Sequence, residues 1–189
     1  MRRWLCSFVL LACAGITMAS EALPGDSVYQ ANIALVDQAG QQWHWSEQRG
    51  QVQIVSMFYT SCTMVCPMIV DTMKLTAQAM PAQQRDRLRL SLVSFDPARD
   101  SVSVLRDYAQ RRQLSTPPWT LAHTAQLADT RQVAALLGLQ YRQLPDGDFN
   151  HSSELVLLDG EGRIVARTNV IGRLDPEFVQ AVERTLAGN

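Results

Sequence analysis

The sequence predicts one α/β domain built on a mixed sheet, and three observations carry that reading. Strand-like and helix-like segments alternate through most of the chain, and a hairpin-like pair followed by a helix closes it. Two cysteines, Cys62 and Cys66, stand where an apolar strand-like run passes into a helix-like one. At 189 residues the chain is long enough for one proper core, not two. The 47% apolar content and formal net charge of −1 are ordinary for a soluble domain. The 17 basic residues are scattered, which excludes a nucleic-acid footprint.

The first residues read as a targeting segment. Arg2 and Arg3 supply positive charge, Trp4 to Ile16 is uncharged and mostly apolar, and Thr17-Met18-Ala19 offers small residues for cleavage before Ser20. The stretch is shorter than the roughly 20 apolar residues that span a bilayer comfortably. Residues 1–19 are therefore expected to export the chain. Cleavage after Ala19, lipidation at Cys13 in Leu10-Leu11-Ala12-Cys13, and retention as an anchor are the three fates to separate. Residues 20–27 read as a linker and 28–189 as the domain.

The domain opens with a strand over Ala31–Val36, a turn at Asp37-Gln38-Ala39-Gly40, and a return segment from Gln41 to Trp45. Val52–Phe58 is a mostly apolar run interrupted by Gln53 and Ser56, as expected of a buried strand, and Met68–Met80 is helical until Pro81. Arg87–Phe95 is strand-like. Asp96 to Ser101 forms a turn and helix start, followed by an amphipathic helix over Val102–Gln113. Beyond Pro117-Pro118 come a short strand at Trp119–Ala122 and a helix over Ala125–Leu137 closed by Gly138. Leu144–Asn150 reads as a loop leading to His151. Leu155–Leu158 and Arg163–Ala166 flank the turn Asp159-Gly160-Glu161-Gly162, and Leu174–Leu186 is the last helix. That order suits a thioredoxin-like layout, a mixed sheet with helices on both faces.

Of four cysteines, Cys6 and Cys13 fall in the targeting segment, so the domain keeps only Cys62 and Cys66. A disulfide across so short a loop would staple little chain. If both thiols sit on the first helical turn, they share one face, and the helix dipole lowers both pKa values. Such a pair serves soft-metal binding or dithiol exchange. The three-residue spacer is one residue wider than the usual redox motif.

Three motifs then resemble the Sco/SenC family of copper-binding proteins. They are Cys62-x-x-x-Cys66-Pro67 after Phe58-Tyr59-Thr60, Ser94-Phe95-Asp96-Pro97-Ala98-Arg99-Asp100, and His151-Ser152-Ser153 before an apolar strand. The resemblance implies a thioredoxin-like fold with an added N-terminal hairpin. It also implies copper held by Cys62, Cys66 and His151, with Asp96 in support. Soft thiolates favour Cu(I), and imidazole accepts Cu(I) or Cu(II). Family likeness further implies delivery to the copper-bearing subunit of cytochrome c oxidase, or to another copper-accepting protein, in the periplasm or on the membrane facing it. The sequence departs from the family at Thr63 and Met64, where proline and an acidic residue are common; a thioether replaces a carboxylate beside the thiols.

Plainer roles stand beside these. Cys62 and Cys66 also suit a thiol-disulfide oxidoreductase, with Cys62 attacking and Cys66 resolving. A peroxidase reading lacks the surroundings of a peroxidatic cysteine. Asp96 and Asp100 suit turn and cap roles as well as functional ones. His44 and His123 carry no motif and read as structural. Met57 and Met73 read as core filler, while Met64 and Met68 lie near enough the thiols to offer thioethers.

Overall fold

Residues 22–188 are described by the structure, a computed structural model; the targeting segment 1–19, with Cys6 and Cys13, lies outside them. Ser27, at the expected linker boundary, is buried and caps a 3-10 turn over Val28–Gln30. Its hydroxyl accepts from the Tyr29 N–H and donates to the carbonyl of Glu161. Strands β1 (Ala34–Asp37) and β2 (Gln42–His44) then form an antiparallel hairpin. Its turn closes because the Asp37 carboxylate accepts from the N–H groups of Ala39 and Gln41, while Gly40 takes φ +81°.

Strand β3 (Val52–Phe58) leads into helix α1 (Val65–Ala79) and the short α2 (Ala82–Arg85). Strand β4 (Leu88–Ser94), helix α3 (Val102–Arg111) and strand β5 (Trp119–Thr124) follow. After α4 (Leu127–Leu137) come β6 (Tyr141–Gln143) and β7 (Phe149–His151). The chain closes with β8 (Leu155–Leu158), β9 (Ile164–Thr168) and α5 (Pro176–Gly188).

The main sheet has the order β2-β1-β5-β4-β3-β8-β9. Strands β3, β4 and β5 are parallel, and the remaining pairings are antiparallel. Every residue of β3 is buried, as a central strand must be when helices cover both sheet faces. Each fully buried Ile, Val or Phe there contributes about 1.5–3 kcal/mol of burial. Its one amide side chain, Gln53, is matched: it donates to the Tyr29 hydroxyl at 2.6 Å and accepts from Ser91 at 3.1 Å. The fold is the expected thioredoxin-like one, with the N-terminal hairpin added at the β5 edge.

Local boundaries differ from the expectations in ways that matter for the site. Helix α1 starts at Val65 rather than Met68, so Pro67 is its third residue, where a missing N–H still costs nothing. The expected loop 144–150 is the turn and second arm of a β6–β7 hairpin that forms a two-stranded sheet of its own. Strand β5 runs to Thr124 rather than ending at Ala122, and so takes in His123.

Candidate metal centre

The parallel strands β3 and β4 end side by side, and the donor residues gather at those carboxyl ends, the usual site-forming edge of an α/β sheet. After Phe58 the chain turns, the Cys62 N–H donating to the Tyr59 carbonyl at 3.3 Å. Cys62 lies two residues before the α1 N-cap, Met64, and Cys66 is the second helical residue. The cysteines therefore do not share the first turn. Instead the Cys66 N–H donates to the Cys62 sulfur at 3.3 Å, and that sulfur serves as the acceptor for an exposed helix N-terminus.

This arrangement splits the two thiols. Burial opposes ionisation of Cys62, but the N–H groups of Cys66, Met64 and Val65 outweigh it and hold the thiol below its ordinary value. Cys66 is 0% exposed, and burial pushes its thiol well up, assisted by the charges of Cys62 and Asp100. The expectation that the helix dipole lowers both is thus met at Cys62 alone, because Cys66 faces the core.

Asp100 pins the cysteine turn. Its buried carboxylate accepts from the Thr60 N–H at 3.1 Å and from the hydroxyls of Thr60 and Ser94, both at 2.5 Å. Burial raises its pKa despite those bonds. Asp96 is also buried, but its carboxylate pairs with Arg99 and stands outside the group of converging donors. By sequence Asp100 suits a turn or cap role as well as a functional one. In the structure Ser101 caps α3 and Asp100 binds the cysteine turn, for which the local signal is Thr60, a hydroxyl two residues before Cys62.

His151 ends β7, 85 residues beyond Cys66. Its ring is boxed by Phe95, with centroids 4.9 Å apart, and by Tyr59 edge-on at 6.0 Å. Nδ1 lies 2.8 Å from the Ser152 carbonyl, which fixes the proton on that nitrogen, and Nε2 lies 4.0 Å from the Cys66 sulfur. The two sulfurs and an imidazole nitrogen all lie within 4.8 Å of one another. A trigonal ion with metal–sulfur bonds near 2.3 Å and metal–nitrogen bonds near 2.0 Å needs donors about 3.7–4.0 Å apart. The donors fit after a shift below about 1 Å, and their softness matches Cu(I).

Met57 and Met73 are core residues, whereas Met64 is 80% and Met68 45% exposed beside the cysteines. His44 and His123 stand outside the three-donor group. The aromatic box has no local signature in the sequence: Tyr59 and Phe95 stand in two separate motifs at strand ends, and only the fold brings their rings together at His151.

The SCO1/SenC family model matches residues 21–187. A protein of Stutzerimonas stutzeri, whose name provisionally assigns it copper binding, is 26% identical over 147 residues, covering 76% of this chain and 70% of its own. Bradyrhizobium japonicum ScoI with copper bound superposes with a TM-score of 0.68 at 24% identity, covering 82% of this chain and 98% of that one. BsSco, described as having a disulfide switch and as a member of the Sco family of cytochrome c oxidase assembly proteins, superposes with a TM-score of 0.65 at 18% identity, covering 82% and 92%.

Proposed function

The chain belongs to the SCO1/SenC family, and on that premise we propose that it is an exported copper carrier. It takes Cu(I) as cargo through Cys62, Cys66 and His151 and passes it to the dinuclear copper centre of cytochrome c oxidase. The observation that carries this reading is the convergence of two sulfurs and one imidazole nitrogen within 4.8 Å from distant chain segments. Support comes from the copper-bound ScoI and from the oxidase-assembly family to which BsSco is assigned. Residues 1–19 direct export to the periplasm, cleaved after Ala19, lipidated at Cys13 or kept as an anchor; 20–27 link, and 28–189 carry the cargo.

Handover proceeds by ligand exchange, the recipient's thiolates replacing these donors one at a time. Oxidation of Cys62 and Cys66 to a disulfide removes two donors of three, so loading is redox-gated. The reading is tested by titrating Cu(I) into reduced protein against a competing chelator. Cys62→Ser and His151→Ala should each weaken binding at least tenfold; unchanged affinity in both overturns it.

A second reading rests on the asymmetry of the thiols: Cys62 is half-buried and Cys66 fully buried. In thiol-disulfide exchange the Cys62 thiolate attacks a partner disulfide, forming a mixed disulfide as one partner thiolate leaves. Cys66 then gives up its proton and attacks the Cys62 sulfur. The second partner thiolate departs, leaving the partner reduced and this pair oxidised. Here Cys66→Ser traps the mixed disulfide with an oxidised recipient, and no trapped adduct contradicts it.

A further inference from the structure

The hairpin that carries His151 is not a strand of the main sheet, so something else must set its distance from the cysteines. Its inner face packs on rings: Phe95 stacks on Tyr141 at 5.2 Å, and Tyr59 meets Phe149 edge-on at 5.1 Å. Each such ring pair prefers a stacked or edge-on geometry but is worth only about 0.5–1.5 kcal/mol beyond its burial, so the rings hold the hairpin weakly. A directional tie comes from Arg99, whose guanidinium makes three contacts at once. It donates to the Asp96 carboxylate, donates to the Gly147 carbonyl at the hairpin tip, and lies 5.7 Å from the centroid of the Phe149 ring. Gly147 takes φ +90°, a conformation that suits glycine, so the tip holds its carbonyl in that place.

We propose that Arg99 is a positioning residue, a latch that holds the β6–β7 hairpin, and with it the His151 imidazole, over Cys62 and Cys66. This rests on the reading of His151 as a cargo donor. The Asp96 side chain is only 6% exposed, while that of Arg99 is 45% exposed. The buried carboxylate thus acts as the fixed post and the half-exposed guanidinium as the movable arm. Asp96 supports the centre from outside it, by aiming Arg99. When the arm lets go, the hairpin lifts as a unit and withdraws the imidazole, leaving a two-sulfur site from which cargo exchanges more readily.

The test reads hairpin order without metal and affinity with it. Amide hydrogen exchange of metal-free Arg99→Leu should be about tenfold faster at Leu144, Gly147 and the β6–β7 ladder, with β3 and β4 unchanged. Arg99→Lys should recover part of the protection. Because Arg99→Leu strands the buried Asp96, the double change Asp96→Asn/Arg99→Leu serves as the second variant and should behave the same. In the Cu(I) competition, Arg99→Leu should lose about tenfold in affinity and lose nothing more on the His151→Ala background. Wild-type exchange rates in the hairpin of folded Arg99→Leu overturn the latch. So does an affinity loss equally large with and without His151. If His151→Ala itself binds Cu(I) normally, the three-donor reading fails, while the exchange rates still decide the latch.

Discussion

Nε2 of His151 lies 4.0 Å from the Cys66 sulfur, across a sequence gap of 85 residues. The opposite ring nitrogen is held by Ser152 at 2.8 Å. In the neutral ring, the other nitrogen, Nε2, then presents its lone pair to the sulfurs. The binding chemistry follows from that contact, and so do its weak points.

The thiols should titrate apart. Cys62 lies below the ordinary thiol value and Cys66 above it. Alkylation of reduced, metal-free protein should label Cys62 first, with a midpoint below the unperturbed pKa of about 8.5, while Cys66 stays unlabelled there. Equal labelling, followed by mass spectrometry of the tryptic peptides, contradicts the asymmetry.

Asp100 should be worth more as an acceptor than as a charge. Asp100→Ala leaves the Thr60 N–H and two hydroxyls without their acceptor and should cost about 3 kcal/mol in denaturant unfolding. Asp100→Asn keeps an acceptor and should cost less. The folded-state pKa is raised, so the native state holds the proton more tightly than the unfolded chain. Stability from that proton is present below the unfolded pKa, about 3.9, and is lost as pH rises through the folded value. The deficit of Asp100→Asn against wild type should therefore shrink between acid and neutral pH; a deficit that grows contradicts the burial argument.

Oxidation should disarm the site without hardening the fold. Cys62 and Cys66 are free in the structure, and a disulfide between them closes only a short loop. The oxidised protein should lose Cu(I) binding while its unfolding free energy rises by less than about 3 kcal/mol, the value expected for a 15-residue loop. Retained Cu(I) affinity in the fully oxidised form contradicts thiolate ligation.

Gly162→Ala tests whether Ser27 and Tyr29 belong to the domain. Gly162 has φ +77°, and a Cβ there would fall 2.5 Å from the Tyr29 ring and 2.8 Å from the Ser27 hydroxyl. The change should cost about 2–4 kcal/mol by thermal or denaturant unfolding. A neutral effect means that the 27–29 segment is loosely held.

The strongest sequence signals lay in strands and turns whose residues have little choice. Val52–Phe58 was readable as a buried strand because a run apolar on both faces needs cover on both. Asp159-Gly160-Glu161-Gly162 was readable because its turn chemistry is local. The β6–β7 hairpin is not legible in the sequence: Tyr141-Arg142-Gln143 shows no apolar alternation, and its place depends on rings from other elements. The cysteines and His151 were found through residue chemistry and family likeness. Their unequal acidity was not, since it depends on which sulfur faces the helix N-terminus and which faces the core. Asp96 was placed near the site by its motif, but Arg99 stands between it and the hairpin, a pairing set by side-chain direction.

X-ray absorption at the copper edge of the reduced, Cu(I)-loaded protein tests the central claim most directly. Wild type should show two sulfur scatterers near 2.3 Å and one nitrogen near 2.0 Å, and His151→Ala should lose the nitrogen. A spectrum of two sulfurs alone in wild type, unchanged by His151→Ala, would contradict the three-donor centre.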